Sequence, residues 1–187
     1  MEQNELLRHA IRSLEALGIP YMIGGSLASS AYGEPRLTND IDIVADLTDE
    51  QVQRLLVKFP PDEFYMDEDK IREAIARQGQ FNIIHPTSGY KVDIFICGQD
   101  AYGRSQLSRR RRLEASNGEH AFFASPEDVI IKKMEYFKIG QSERQFRDIV
   151  GMLRVQGEQV DRSYIRQWAA RMDLTEVWEV VLRRAEE

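Results

Sequence analysis

The sequence predicts an α/β fold, with a mixed β-sheet flanked by helices and a C-terminal helical segment behind it. Short apolar runs alternate with stretches of helical spacing through the first part of the chain. Two of those runs, Phe81 to His85 and Lys91 to Cys97, are joined around Thr87-Ser88-Gly89 with no helix between them, which makes the sheet mixed. After Ser125-Pro126 the pattern is helical to the end. The 187 residues are 42% hydrophobic, enough for a real core. The chain divides into a core of residues 1–124 and a helical segment of residues 125–187 packed on it.

Leu6, Leu7, Ala10, Ile11, Leu14 and Leu17 repeat with helical spacing until Gly18 and Pro20 stop them. Tyr21 to Ile23 is a short strand running into Gly24-Gly25, and "SLASSAY" after it has the small residues of a tightly packed helix ending at Gly33-Glu34-Pro35. The next strand carries Asp40 and Asp42. Thr48 and Gln51 make a capping box for a helix Asp49 to Phe59, closed by Pro60-Pro61. Phe64 to Met66 reads as a brief strand and Asp69 to Arg77 as a helix. From Gly98 to Gly118 the chain is polar and basic without lasting periodicity, and reads as a loop. His120 to Ala124 is a last strand. Ser125-Pro126-Glu127-Asp128 then opens a helix with an N-cap serine, proline at N1 and acid at N3. Helices Pro126 to Lys138, Ser142 to Val155 and Ser163 to Glu187, the last broken near Met172-Asp173, complete the reading.

Composition narrows the function. A net charge of −6 argues against a general nucleic-acid or membrane-surface binder. No run approaches the roughly eighteen apolar residues of a membrane span and no apolar leader follows Met1, so a cytoplasmic location is expected. Cys97 is the only cysteine, and His9, His85 and His120 lack ligand spacing, which argues against a Cys/His zinc site.

The chemistry concentrates in "MIGGSLASSAYGEPRLTNDIDIV". Asp40 and Asp42 are two residues apart among apolar neighbours, so they share one face of a strand. Half-buried like charges are costly without a positive partner. A third acid, Asp93 of "YKVDIFI", points away from the apolar face of Val92, Ile94 and Ile96. Three carboxylates on strands are hard oxygen ligands of the kind Mg²⁺ prefers, completed by substrate phosphates. Gly25-Ser26 at a helix mouth offers backbone N–H groups and a dipole that favour phosphate, and glycine permits close approach.

In these residues the chain resembles the nucleotidyltransferases of the DNA polymerase beta type, whose signature is an apolar residue, Gly, Gly or Ser, a spacer, and Asp-x-Asp between apolar residues. "GGS", the spacer Leu27 to Asn39 and "DIDI" match it. The branch resembled is that of bacterial abortive-infection and toxin–antitoxin nucleotidyltransferases, through "RLTND" (Arg36 to Asp40), "SPEDVIIKKM" and "RQFRDIVGML". The resemblance spans Tyr21 to Leu153. It implies that Asp40, Asp42 and Asp93 are catalytic and hold two Mg²⁺ ions. It also implies that Gly25, Ser26, Arg36, Thr38 and Lys133 bind the nucleotide, an NTP with ATP foremost. The acceptor hydroxyl would belong to a protein, an RNA end or a small molecule, and a cognate antitoxin or regulatory partner is implied as well. The alternative is a non-catalytic module with the same fold that binds nucleotide or a partner.

Plainer readings stand beside these. Asp40 could pair with Arg36 on the surface, and Lys133, in the inward stripe with Val129, Ile130 and Phe137, could snorkel to solvent. Asp148 lies opposite the stripe of Phe146, Ile149, Val150 and Leu153 and reads as a solvated or ion-paired acid. Cys97 reads as packing. Arg109, Arg110, Arg111 and Arg112 could grip RNA, but in an acidic chain without interleaved aromatics a solvated loop is favoured. Phosphatases and glycosyltransferases that use Asp-x-Asp leave "EPRLTN" and Gly-Ser unexplained.

Overall fold

A computed structural model describes residues 1–114 and 119–185. The elements are α1 (Gln3–Ala16), β1 (Tyr21–Ile23), α2 (Gly25–Tyr32), β2 (Ile41–Ala45), a 3₁₀ turn (Asp49–Gln51) leading into α3 (Val52–Leu56), α4 (Glu68–Arg77), β3 (Gln80–His85), β4 (Tyr90–Ile96), α5 (Ala101–Arg109), β5 (Arg111–Glu114), β6 (His120–Phe123), α6 (Pro126–Gly140), α7 (Glu143–Gln156), a 3₁₀ turn (Gly157–Gln159), α8 (Arg162–Arg171) and α9 (Thr175–Ala185). The described strands form a six-stranded sheet in the order β3-β4-β2-β1-β6-β5. The β2–β4 and β1–β6 pairs are parallel and the others antiparallel, so the sheet is mixed as expected.

Strand periodicity sorts the apolar residues into two cores. Tyr21, Ile23, Ile41, Ile43, Val92 and Ile94 face the layer of α1, α3 and α4, while Met22 faces α2 and the helices α6 to α9. The second layer contains the site. Ser125 caps α6 by accepting from the Asp128 N–H at 3.2 Å, with Pro126 at the first turn, as its sequence dictates. Helix α2 packs on α6 and α7, and α6 also packs on α8.

Several boundaries differ from the sequence reading. The stretch predicted as one helix from Asp49 to Phe59 is a 3₁₀ turn and a five-residue helix, because the Thr48–Gln51 capping box closes a 3₁₀ turn and the chain leaves the helix before Pro60. Phe64 to Met66 makes a single bridge, Tyr65 to Ile84, not a strand. The predicted helix end at Glu187 lies outside the described residues.

The largest correction is the segment read as a loop. It contains α5 and β5, although residues 115–118 at its end lie outside the described residues. Asp100 starts α5 by accepting from the Gly103 N–H at 2.8 Å, and β5 pairs with β6 from Arg111↔Phe123 to Glu114↔His120. The run Arg109 to Arg112 neither forms a solvated loop nor presents a basic patch, Arg112 alone of the four being exposed. Arg109 pairs at 3.0 Å with the fully buried Glu127 and lies 4.0 Å over the Tyr164 ring, while Arg110 lies 4.7 Å over Phe122. Tertiary pairing with α6 and α8 supplies what local periodicity lacks.

Candidate active site

Asp42 on β2 is in register with Asp93 on the parallel strand β4, and Asp93 is in register with Asn82 on β3. The three side chains therefore form a row across one face of the sheet, the face that also presents Met22 and Val44. Asp40 precedes β2 by one residue and is exposed, so it extends the carboxylate line beyond the strand.

Helix α2 begins against this row. Gly24 donates its N–H to the Asp42 carbonyl at 2.8 Å, and Gly25 turns the chain with φ +54°. A Cβ on Gly25 would stand 1.8 Å from Asp42 Oδ2, so only glycine brings the start of the helix this close to the carboxylate. The reason for the second glycine of "GGS" is thus both conformational and steric.

Burial, then the charges of Asp93 and Asp40, raise the Asp42 carboxyl above its usual range. The cation nearest the row is Lys91, two residues before Asp93 and on the same face. Its Nζ lies 2.8 and 2.7 Å from the two oxygens of Asp93, whose Oδ1 also accepts from Asn82. That contact, with the fields of Asp93, Asp40 and Asp42, raises the Lys91 ammonium. Among the described residues no three acidic, histidine or cysteine side chains are drawn together as a ready ligand set, since Asp93 is turned to Lys91. As a donor set, three oxygen acids around a half-buried Asp42 fit a hard divalent cation.

A second network lies beside α2. Asp148 accepts from Arg36 Nε at 2.9 Å, Arg36 Nη2 at 2.8 Å and Lys133 Nζ at 2.7 Å. Burial alone would raise its carboxyl, but the bonds from Arg36 and Lys133 prevail and hold it below the usual range. Burial lowers the Lys133 ammonium, opposed by Asp148. Arg36 Nη2 also donates to Ser26 Oγ at 2.5 Å. A hydroxyl that accepts from arginine keeps its own proton to donate.

Gly25, Ser26, Arg36, Asp40, Asp42 and Lys133 line one cavity of about 710 Å³. Asp93 adjoins Asp42 but its carboxylate is held by Lys91 and Asn82, and it does not line the cavity. Thr38 lies outside too: its hydroxyl accepts from the Asp40 N–H at 3.2 Å, which shapes the turn into β2. Lys133 points inward, as its helical stripe indicated, and is buried rather than snorkelling. Of the two readings of Asp148, solvated or ion-paired, the structure shows the ion-paired one, with little of the side chain exposed, and the sequence did not show its place in the network with Arg36 and Lys133. Its signal was the "RQFRD" step of the resemblance. Lys91 was missed although its spacing from Asp93 places it on the same face.

Solved structures share this architecture. A crystal structure of an antigenic nucleotidyltransferase-like protein from Paracoccidioides brasiliensis aligns with a TM-score of 0.54, covering 81% of this chain and 75% of that one at 22% identity. ANT(2″)-Ia in complex with adenylyl-2″-tobramycin aligns at 0.53, covering 90% and 97% at 14% identity. The chain has the nucleotidyltransferase fold. The lincosamide antibiotic adenylyltransferase LnuA, lincomycin-bound, shares that fold at a TM-score of 0.51, 14% identity and coverage of 78% and 93%. No family model and no curated protein matches the chain. Within the nucleotidyltransferase fold of this chain, the Asp42–Asp93 row and the start of α2 are in contact through Gly25.

Proposed function

We propose that the protein is a metal-dependent nucleotidyltransferase that moves an NMP group from an NTP, ATP foremost, to an acceptor hydroxyl. The observation that carries the reading is the approach of Gly25 to Asp42, so close that an added Cβ would stand 1.8 Å from Oδ2, which sets a helix start of the kind that favours phosphate directly against the carboxylate row. The fold shared with adenylyltransferases supports it.

Asp40, Asp42 and Asp93 would hold divalent metal, which when bound supplies Lewis-acid charge at the reacting phosphate. The chain's own residues do the rest. The Ser26 hydroxyl, oriented by Arg36, donates to a phosphate oxygen, and Lys133, kept in place by Asp148, supplies positive charge in a buried setting. Asp93, once Lys91 withdraws, takes the proton of the attacking hydroxyl. Residues 1–124 form the catalytic core in this reading, and residues 125–187 contribute Lys133 and Asp148.

One observation favours a second reading, a module that binds nucleotide without transferring it: the third carboxylate is already neutralised by Lys91. Incubation with α-³²P-labelled NTPs, Mg²⁺ and cell extract, followed by separation into protein, RNA and small molecules, tests the proposal. Label on any fraction that vanishes with Asp42→Asn supports transfer. Nucleotide binding without label supports the module.

Two of the named neighbours are seen with an antibiotic, LnuA with lincomycin and ANT(2″)-Ia with adenylyl-2″-tobramycin, and a small molecule such as an antibiotic, a protein or an RNA end are the acceptor classes to test here. A cognate antitoxin is a further proposal, tested by co-expression with the product of an adjacent reading frame. Among the described residues no helix is long and apolar enough to cross a membrane.

A further inference from the structure

Helix α6 sets two neighbouring lysines on the cavity, and their surroundings differ. Lys132 is exposed and pairs with Glu135 at 2.9 Å. Lys133 is buried. Its ammonium gives one N–H to Asp148 Oδ2 at 2.7 Å and one to Gln145 Oε1 at 3.0 Å. An ammonium carries three N–H groups, and the third has no acceptor among the described residues although the side chain lines the cavity beside Ser26 and Arg36. Buried donors are almost always paired, so this one is spare for an atom of a ligand.

The carboxylate beside Lys133 is shared. Arg36 holds Asp148 through Nε at 2.9 Å and Nη2 at 2.8 Å. If Lys133 loses a proton, Asp148 therefore stays ion-paired, and the cost of stranding a buried charge does not arise. Arg36 itself cannot give up a proton: a guanidinium keeps its charge, and the bond to Asp148 holds it higher still. Arg144, also on the cavity, is a second guanidinium. Burial lowers the Lys133 ammonium, aided by the field of Arg36 and opposed by Asp148 and Asp42, and a lowered ammonium is the stronger acid. Lys133 is thus the buried cation of this cavity that can part with a proton.

Nucleotidyl transfer has a use for one, because the oxygen that leaves the α-phosphorus gathers negative charge as its bond breaks. Resting on the nucleotidyltransferase reading above, we propose that Lys133 is a catalytic acid as well as a phosphate contact, and that its spare N–H protonates the departing pyrophosphate. The acceptor hydroxyl oxygen attacks the α-phosphorus and a new O–P bond forms. The bond from the α-phosphorus to the bridging oxygen breaks, and that oxygen keeps the electron pair and takes the Lys133 proton. The hydroxyl proton goes to Asp93. Lys133 is left as an amine whose two remaining N–H groups are those bonded to Asp148 and Gln145, and a proton from water restores it.

The test uses the full chain with α-³²P-labelled ATP, Mg²⁺ and cell extract as acceptor, with enzyme in excess over nucleotide so that a single turnover is read. Only label that Asp42→Asn abolishes is counted. Lys133→Arg keeps the charge and withholds the proton, so it should bind Mg²⁺–ATP in calorimetry as the parent chain does and transfer about 10²-fold more slowly or worse. An arginine variant as fast as the parent chain overturns the inference and leaves Lys133 a phosphate contact only. A second measurement needs no variant to fold: α-labelled ATP analogues with CH₂, CHF or CF₂ in the β,γ bridge release successively less basic leaving groups. With an acid in place the parent chain's rate should change little along that series, whereas in Lys133→Gln it should rise steeply with fluorination. A steep rise in the parent chain, or the same dependence in both proteins, overturns the inference. No label at all from the parent chain is a different result: it overturns the nucleotidyltransferase reading, and the acid role falls with it.

Discussion

Replacing Asp148 by asparagine keeps the shape of the side chain and removes the charge that Arg36 and Lys133 share. The ion pairs are 2.8 and 2.7 Å long, and the side chains are 24% (Arg36), 8% (Asp148) and 5% (Lys133) exposed. Breaking a buried pair costs about 3–5 kcal/mol. Arg36 recovers some solvation, and Lys133 retains Gln145 Oε1 at 3.0 Å, so the expected loss is nearer about 2–3 kcal/mol. For a chain of this length that lowers Tm by roughly 4–12 °C. The sign with pH follows from the depressed Asp148 carboxyl. Its stabilisation is fully present above the ordinary carboxylate range and is lost as pH falls through the lower folded value. Urea denaturation of both proteins across the acid range should therefore show a difference that is constant near neutrality and shrinks on acidification. A loss under about 0.5 kcal/mol at neutral pH, or one that does not change with pH, would refute the network as a structural unit.

Gly25→Ala forces a side chain into a left-handed backbone and onto Asp42, so it should cost at least about 1–2 kcal/mol and abolish the thermal shift produced by Mg²⁺–ATP. Asp42→Asn should raise the Tm of the nucleotide-free protein, because burial, Asp93 and Asp40 all disfavour the ionised form, while label transfer is lost; a destabilised variant would mark Asp42 as a structural acid. Lys91→Met removes the cation on Asp93 and should tighten Mn²⁺ binding in calorimetry, with unchanged affinity counting against a counter-ion role. Ser26→Ala should weaken ATP binding by about 1–3 kcal/mol and leave part of the turnover at saturating ATP.

The strands and the acid row were legible because they rest on period-two patterning and on a motif whose parts occur in order. Val92, Ile94 and Ile96 declare their face by alternation, and Asp93 follows by exclusion. Helix α5 was not legible. "AYGRSQLSR" has weak apolar periodicity, and its stability comes from Tyr102 against Trp168 at 4.8 Å and Arg109 on Glu127, contacts more than a dozen residues away in sequence. Of the two readings of Asp148, solvated or ion-paired, the structure shows the ion pair, and its burial was not legible for a related reason. Its helix face looked polar, but the Arg36 loop and α6 cover that face and each bring one cation to it, Arg36 and Lys133. Polarity on a helix reports solvent only where no second charged element arrives to meet it.

The acid pair raised the question of what positive charge sits beside it, and metal was the answer the motif suggested. The structure supplies a nearer one. Lys91 reaches Asp93 from two residues away on a flexible stem, and its side chain is 46% exposed. A lysine that close to water gains little from the pair and gives it up at low cost. It can neutralise Asp93 while the site is empty of nucleotide and move to solvent when a divalent ion, with twice its charge, competes for the same oxygens. Asp42 has no such substitute: it makes no ion pair among the described residues and is pressed by two other carboxylates. The electrostatic demand for a cation is therefore concentrated at Asp42, beside Gly25 and the start of α2, where the triphosphate would bring its metal.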